Sequence, residues 1–234
     1  MPQAKAIRDY DQTLAGGLLV RADISDLARD GRRVKLVGVD LDGVDISHLD
    51  LEAWRFEECS LIGTRFDGCR LEEASFSSCR AGTSSFIGAE LQEAVIDGGD
   101  FHNATFVGAS MAYSRLLRSK ATGANFTDAK TFNIHLEEVK LSMALMPKAS
   151  FRKSILKKVD FSDADLTGCD FREAVFEGSS LRKALLDRCR FEKADLRGVD
   201  IGSIDLTDAR RFRAAVIPRD QAAVLVAQLG LKVI

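Results

Sequence analysis

From Leu36 to Leu206, every fifth residue belongs to one chemical class. Of those 35 positions, 32 are Leu, Phe, Ile or Met, and the exceptions are Ala81, Ala121 and Thr131. Two residues before each lies a second slot, small (Ala, Cys, Ser, Thr, Gly or Val) at 31 of 35 positions; Leu49, Trp54, Ile134 and Ile204 are larger. A period of five is neither helical nor that of a strand. It marks an internal repeat, and a repeat of this length predicts a solenoid.

A chain that buries one large and one small side chain every five residues must turn a corner between them. Eleven of the 18 glycines (Gly38, Gly43, Gly63, Gly68, Gly88, Gly98, Gly108, Gly123, Gly168, Gly178 and Gly198) lie two residues after the large slot. A type II turn needs a positive φ there. Four corners close a square coil of about 20 residues, and stacked coils pair as parallel strands about 4.8 Å apart. The repeat then makes nearly nine coils and a rod of about 40 Å. Inward residues interleave into a filled core, with Phe101 in the room left by Ala81 and Ala121.

Runs such as Ala164-Asp165-Leu166-Thr167-Gly168, Ala194-Asp195-Leu196-Arg197-Gly198 and Ala124-Asn125-Phe126-Thr127-Asp128 carry an A(D/N)LXX pentad. In these runs the chain resembles the pentapeptide-repeat proteins over about three-quarters of its length. That resemblance implies an all-β solenoid, the right-handed quadrilateral β-helix, here with a short C-terminal helix. The expected organisation is an N-terminal segment, 1–33, covering the first coil, a repeat rod over 34–210, and a closing helix and tail over 211–234.

The closing segment reads as a helix because Pro218 suits a first turn and Gly230 the position past its end. Ala222, Leu225, Val226 and Leu229 form an apolar stripe. It either packs on the last coil or also pairs two molecules, with Val224, Leu225, Leu229 and Leu231 as candidate dimerisation residues. At the other end, Ala22-Asp23-Ile24-Ser25-Asp26 resembles a pentad displaced by two residues from the main beat. A shifted face over 17–26, an insertion through Gly31-Arg32-Arg33 and a flexible 1–12 are expected.

All five cysteines (Cys59, Cys69, Cys79, Cys169 and Cys189) occupy the small slot. They read as small hydrophobes rather than metal ligands, and unpaired buried thiols suit a reducing cytoplasm. No metal site and no cofactor are expected. Neither an 18-residue apolar run nor a secretory apolar core is found, so no membrane partner is expected. His48, His102 and His135 fall on three different faces, and no catalytic set or phosphate loop assembles. The chain reads as non-enzymatic.

Residues 40–100 hold 14 Asp and Glu against four Arg, whereas 101–160 hold ten Lys and Arg against four acids. Candidate partner-binding residues are therefore Glu57, Glu58, Glu72, Glu73, Glu90 and Glu93 in the acidic zone, and Arg115, Arg118 and Lys120 in the basic one. To these is added Phe132, an outward aromatic. Phe212 and Tyr113 are expected outward on the same face, and Leu117 and Ile155 outward on another. The stretch from Lys130 to Lys148 departs most from the repeat, and a bend is expected there.

The ending from Asp220 to Ile234 looks like the Q-A-x-L-L-x-x-L-G-I-x-V ending of Qnr-type members of the family. Qnr-type and MfpA-type proteins bind DNA gyrase or topoisomerase IV by imitating DNA and dimerise through a C-terminal helix. The resemblance implies a topoisomerase partner, a homodimer, and protection from quinolones or toxins. Two departures from that pattern leave open a docking scaffold or secreted effector without a topoisomerase role: no loop interrupts the repeat, and residues 101–160 are basic. Direct nucleic-acid binding is not expected, because the acidic coils repel phosphate.

Overall fold

The computed structural model describes residues 10–201, 210–227 and 230. Ten strands form one parallel sheet in chain order: β1 (Gln12–Ala15), β2 (Val34–Val37), β3 (Arg55–Glu57), β4 (Ser75–Ser77), β5 (Val95–Asp97), β6 (Arg115–Leu117), β7 (His135–Glu137), β8 (Ile155–Lys157), β9 (Val175–Ser180) and β10 (Asp195–Asp200). Leu36 pairs with Phe56, Phe56 with Phe76 and Phe76 with Ile96, so each residue lies over the one 20 earlier. Single-residue parallel bridges repeat this spacing on the other three sides, as in Asp50–Arg70–Glu90. The coil is thus four-sided. Its strand side (54–58, 74–78 and so on) is face I, followed in chain order by face II (59–63), face III (64–68) and face IV (69–73).

Positive φ occurs at all 32 corner positions from Gly38 to Lys193, and only ten of them are glycine. The other 22 are held left-handed too, and at most of them the corner amide bonds the next coil, as Ala53 N–H does to Glu72 O at 2.8 Å. Three corners per coil are closed by a type II hydrogen bond, such as Val44 N–H to Leu41 O at 3.0 Å. The fourth, after each strand of face I, carries the positive φ without that bond, contrary to the uniform turn expected. Gly198 departs further: it lies in extended β10 without a positive φ, and a Cβ there would sit 2.5 Å from Phe176 O. Close backbone approach, rather than turn geometry, requires that glycine.

Large residues stack in columns. Phe66, Phe86, Phe106 and Phe126 follow one another at 4.7, 4.9 and 4.8 Å with planes within 5° of parallel. Phe101 is buried as expected; Gly99 beside it has no room for a Cβ, which would meet the Phe101 ring at 2.5 Å. Hydroxyls and thiols in the small slot donate to backbone carbonyls, either 23 residues back, as Thr64 Oγ1 does to Leu41 O at 2.7 Å and Cys69 Sγ to Ile46 O at 3.0 Å, or within the same coil, as Ser84 Oγ does to Ala81 O at 2.7 Å. Small polar residues therefore enter the core without orphaned donors.

At the N-terminal end, the segment resembling a pentad is helical instead. Helix α1 (Arg21–Leu27) buries Ile24 against the first coil, and Asp23 accepts the Val20 N–H at 2.9 Å. Gln12, expected flexible, pairs with Val34 in β1 at an offset of 22. The two surplus residues lie in α1 and the turn Arg29–Gly31. Residues 1–9 lie outside the described residues.

Beyond residues 202–209, which also lie outside them, the beat returns one residue late. Phe191 N–H bonds Arg211 O, and Phe212 stacks on Phe191 at 5.0 Å and 7°. Phe212 thus packs half-buried against the core and is not outward as expected, because a one-residue slip moves it into the large slot. Ala215 N–H closes the next corner on Phe212 O at 2.9 Å, and α2 (Arg219–Ala227) follows.

Candidate partner-binding face

The filled interior leaves the outward side chains to carry function, and four faces sort them differently from chain order. Glu72, Glu73, Glu90, Glu93 and Phe132 share face IV. Glu57, Glu58, Arg115 and Arg118 lie on face I, and Lys120 lies on face II.

Much of the predicted basic zone is compensated within the rod. Arg118 pairs with Asp97, Lys120 with Asp100 at 3.1 Å, and Lys157 and Lys158 with Glu137 and Glu138 at 2.7 Å each. Hydrogen bonds from Lys157 and Lys158 hold the Glu137 and Glu138 carboxyls below the usual range. Lys35 likewise pairs with Glu57 at 2.7 Å. From β5 to β9 the charge of face I alternates from coil to coil. A count along the chain cannot reveal this, because it mixes four faces.

Face IV also carries pairs within the rod, Arg152 and Lys153 with Glu173, Arg172 with Asp170 and Arg190 with Glu192, but its charge is segregated along the axis. Its first three described rows, 49–53, 69–73 and 89–93, hold Asp50, Glu52, Glu72, Glu73, Glu90 and Glu93 against the single cation Arg70. That guanidinium lies 2.7 Å from both Asp50 and Glu52, 3.5 Å from Glu72 and 3.9 Å from Glu90. Burial, followed by the charge of Glu90, raises the Glu72 carboxyl above its ordinary range. Rows 149–153, 169–173 and 189–193, with Arg211 and Arg213 above them, reverse the sign. They hold seven cations against Asp170, Glu173 and Glu192. A shallow groove there is lined by Arg152, Arg172, Arg190, Lys193 and Arg213 with Glu173 and Glu192. The sequence reading missed this cationic end because residues 161–234 balance overall; sorting positions by 20 exposes it.

Between the two ends stands an exposed aromatic pair. Phe132 and Tyr113 meet edge-to-face at 5.6 Å and 87°, 58 % and 55 % exposed. Just beyond, the backbone ladder opens. At every neighbouring row of face IV the large residue donates to the next coil, yet Thr131 and Asn133 make no such bond to Ser150 and Arg152. Ser150 N–H instead donates to Thr131 Oγ1 at 3.1 Å. The break falls within the stretch where a bend was expected, and its cause is the hydroxyl of Thr131 in a slot otherwise apolar.

Elsewhere, Ile155 is outward as expected, but Leu117 is only 6 % exposed. Val224 is exposed on α2. The Leu225 side chain, Leu229 and Leu231 lie outside the described residues. All five thiols are free and buried. Burial pushes Cys69 and Cys189 up to about 11, and Cys169 also upward. Among the described residues no group of three His, Cys, Asp or Glu is disposed to hold a metal ion, and no helix is long and apolar enough to cross a membrane.

A four-sided parallel coil with small and large inward slots every five residues defines a class, the pentapeptide-repeat solenoid. Family patterns agree: "Pentapeptide repeat region" matches residues 49–126, and "Pentapeptide repeats (8 copies)" matches 134–172 and 169–208. The chain belongs to the pentapeptide-repeat family. Among solved structures it is similar to a trypsin-treated form of QnrB1, a plasmid-mediated fluoroquinolone resistance protein, with TM-score 0.71 and 20% identity over 94% of this chain and 100% of that one. A second trypsin-treated form gives TM-score 0.55 and 19% identity over 95% of both chains. Full-length QnrB1 gives 0.51 and 18%, over 94% of this chain and 98% of that one. These likenesses are of fold. A comparison with curated proteins gives no match.

Proposed function

We propose that this chain is a non-enzymatic docking rod for a protein partner, and that the partner to test first is DNA gyrase or topoisomerase IV. The observation that carries the docking reading is the packed column of large residues from Leu36 to Ile201. It commits the inward half of each coil to packing and leaves recognition to charged outer faces. The acidic coils, centred on Glu72, Glu73, Glu90 and Glu93 with Glu57 and Glu58 on face I, are the surface offered in partial imitation of DNA. The fold shared with a fluoroquinolone resistance protein supports that choice of partner, as does the Qnr-like ending. Pairing of two molecules through Val224, Leu225, Leu229 and Leu231 of the closing segment, in the cytoplasm, belongs to the same reading.

The test is a gyrase supercoiling assay with purified protein, with and without a fluoroquinolone. Inhibition of supercoiling, or protection from the drug, is expected at micromolar protein. If neither occurs, the topoisomerase assignment fails. A second reading, a scaffold whose partner is not a topoisomerase, is favoured by a repeat that no inserted loop interrupts from Leu36 to Ile201 and by the cations of face IV.

A further inference from the structure

Face IV is self-complementary, and we propose that it is a docking surface for a second copy of this chain, laid antiparallel. Such pairing is separate from topoisomerase binding and does not depend on it.

Rows on this face are centred at Leu51, Leu71, Leu91, Met111, Thr131, Phe151, Phe171 and Phe191. Take a two-fold axis lying in the plane between two such faces, across the rods, midway between the Met111 and Thr131 rows. It reverses the order of rows and keeps each position within a row. The Leu51 row then meets the partner's Phe191 row, Leu71 meets Phe171, and Leu91 meets Phe151. Asp50 falls opposite Arg190, Glu72 opposite Arg172, and Glu93 opposite Lys153. Arg70, the single cation within those three rows, falls opposite Asp170. The like-charged exceptions are Glu52 with Glu192, Glu73 with Glu173, and Arg32 and Arg33, which line a groove with Asp50, Glu52 and Glu73 and fall toward Arg211 and Arg213 of the other copy. At the centre, the Tyr113–Phe132 pair of each copy meets that of the other. A parallel arrangement would set the acidic end on the acidic end and the cationic end on the cationic end. Charge therefore selects the antiparallel one, and the contact is isologous, so it closes at two copies.

Size sets the strength. Eight rows at about 4.8 Å span about 34 Å, and a face about 15 Å wide buries roughly 500 Å² per copy. The total of roughly 1,000 Å² is at the lower edge of specific interfaces. Association is therefore weak, favoured by low salt, and centred on the aromatic pair. It uses a different surface from the closing helix.

The test is sedimentation equilibrium on the full chain at ~0.05 M and ~0.5 M salt, with two charge-reversed variants. One carries Lys153→Glu with Arg190→Glu; the other carries Glu93→Lys with Asp50→Arg. Wild type is expected to dimerise at low salt, and each variant alone to associate roughly ten-fold or more weakly. An equimolar mixture of the two should recover the dimer, because both sets of opposed charges are then restored. Far-UV circular dichroism of each variant must match wild type; if one misfolds, the chain carrying all four changes, whose charges match again, takes its place and should dimerise. A monomeric wild type overturns the proposal. So does a variant that still dimerises alone, or a mixture that stays monomeric. A dimer abolished by Leu225→Glu with Leu229→Glu, yet indifferent to face IV, overturns it as well.

Discussion

Replacing left-handed corner residues with glycine should stabilise the rod, and the structure gives the size of the effect. Ala53, Thr83 and Met143 sit at φ 57°, 57° and 59°. An L-residue in this region costs about 1–2 kcal/mol through the clash of Cβ with the backbone. Glycine removes that cost but loses about 0.5–1 kcal/mol in extra chain entropy. The net gain is about 0.5–1 kcal/mol per site, and at Thr83, whose branched Cβ is the most strained, it is offset in part by loss of the Thr83 Oγ1 hydrogen bond to Gly82 O at 2.6 Å. Corner hydrogen bonds are kept, since Ala53, Thr83 and Met143 donate through backbone N–H to Glu72, His102 and Ser162. The three corners lie apart, so the triple variant should gain up to about 3 kcal/mol. Gly88→Ala is the mirror experiment: φ is 63° and nothing lies within 4 Å of the new Cβ, so it should lose about 0.5–1 kcal/mol from backbone strain alone. Urea unfolding followed by far-UV circular dichroism reads both, as midpoint shifts at constant slope. If the glycine variants are less stable than wild type, or Gly88→Ala is neutral, the corners are not strained and the reasoning fails.

Phe86→Ala, which empties a site between Phe66 and Phe106, should cost about 3–5 kcal/mol in the same assay. Native protein should leave all five thiols unmodified by iodoacetamide at neutral pH, because all five are buried out of reach of the reagent and burial also holds Cys69 and Cys189 near 11; full labelling should follow in urea. Glu137 and Glu138 have depressed pKa values, so their contribution is present above the ordinary glutamate pKa of about 4.3 and is lost as pH falls through the depressed values. Glu137→Gln with Glu138→Gln should therefore lower the urea midpoint at neutral pH, and the difference should vanish in acid below pH ~3.

The alternation of large and small residues every five positions determined the coil, because only a four-cornered turn buries both slots of each pentad. It also placed the cysteines in the core and Phe101 between Ala81 and Ala121. Local pattern failed at the ends. Ala22 to Asp26 reads as a pentad but folds as helix α1, since nothing beneath the first coil imposes the beat. Phe212 reads as outward until a one-residue slip, visible only in its stacking on Phe191, carries it against the core. The surface was least legible of all. Residues 20 apart become neighbours, so Lys157 neutralises Glu137 while Glu72, Glu90 and Arg70 collect on one side. A net charge summed along the chain averages those columns away. Sequence alone determined the coil and its filling, because each inward slot is a local demand. Tertiary structure decided which charges stand together on face IV, because that depends on the length of a whole turn.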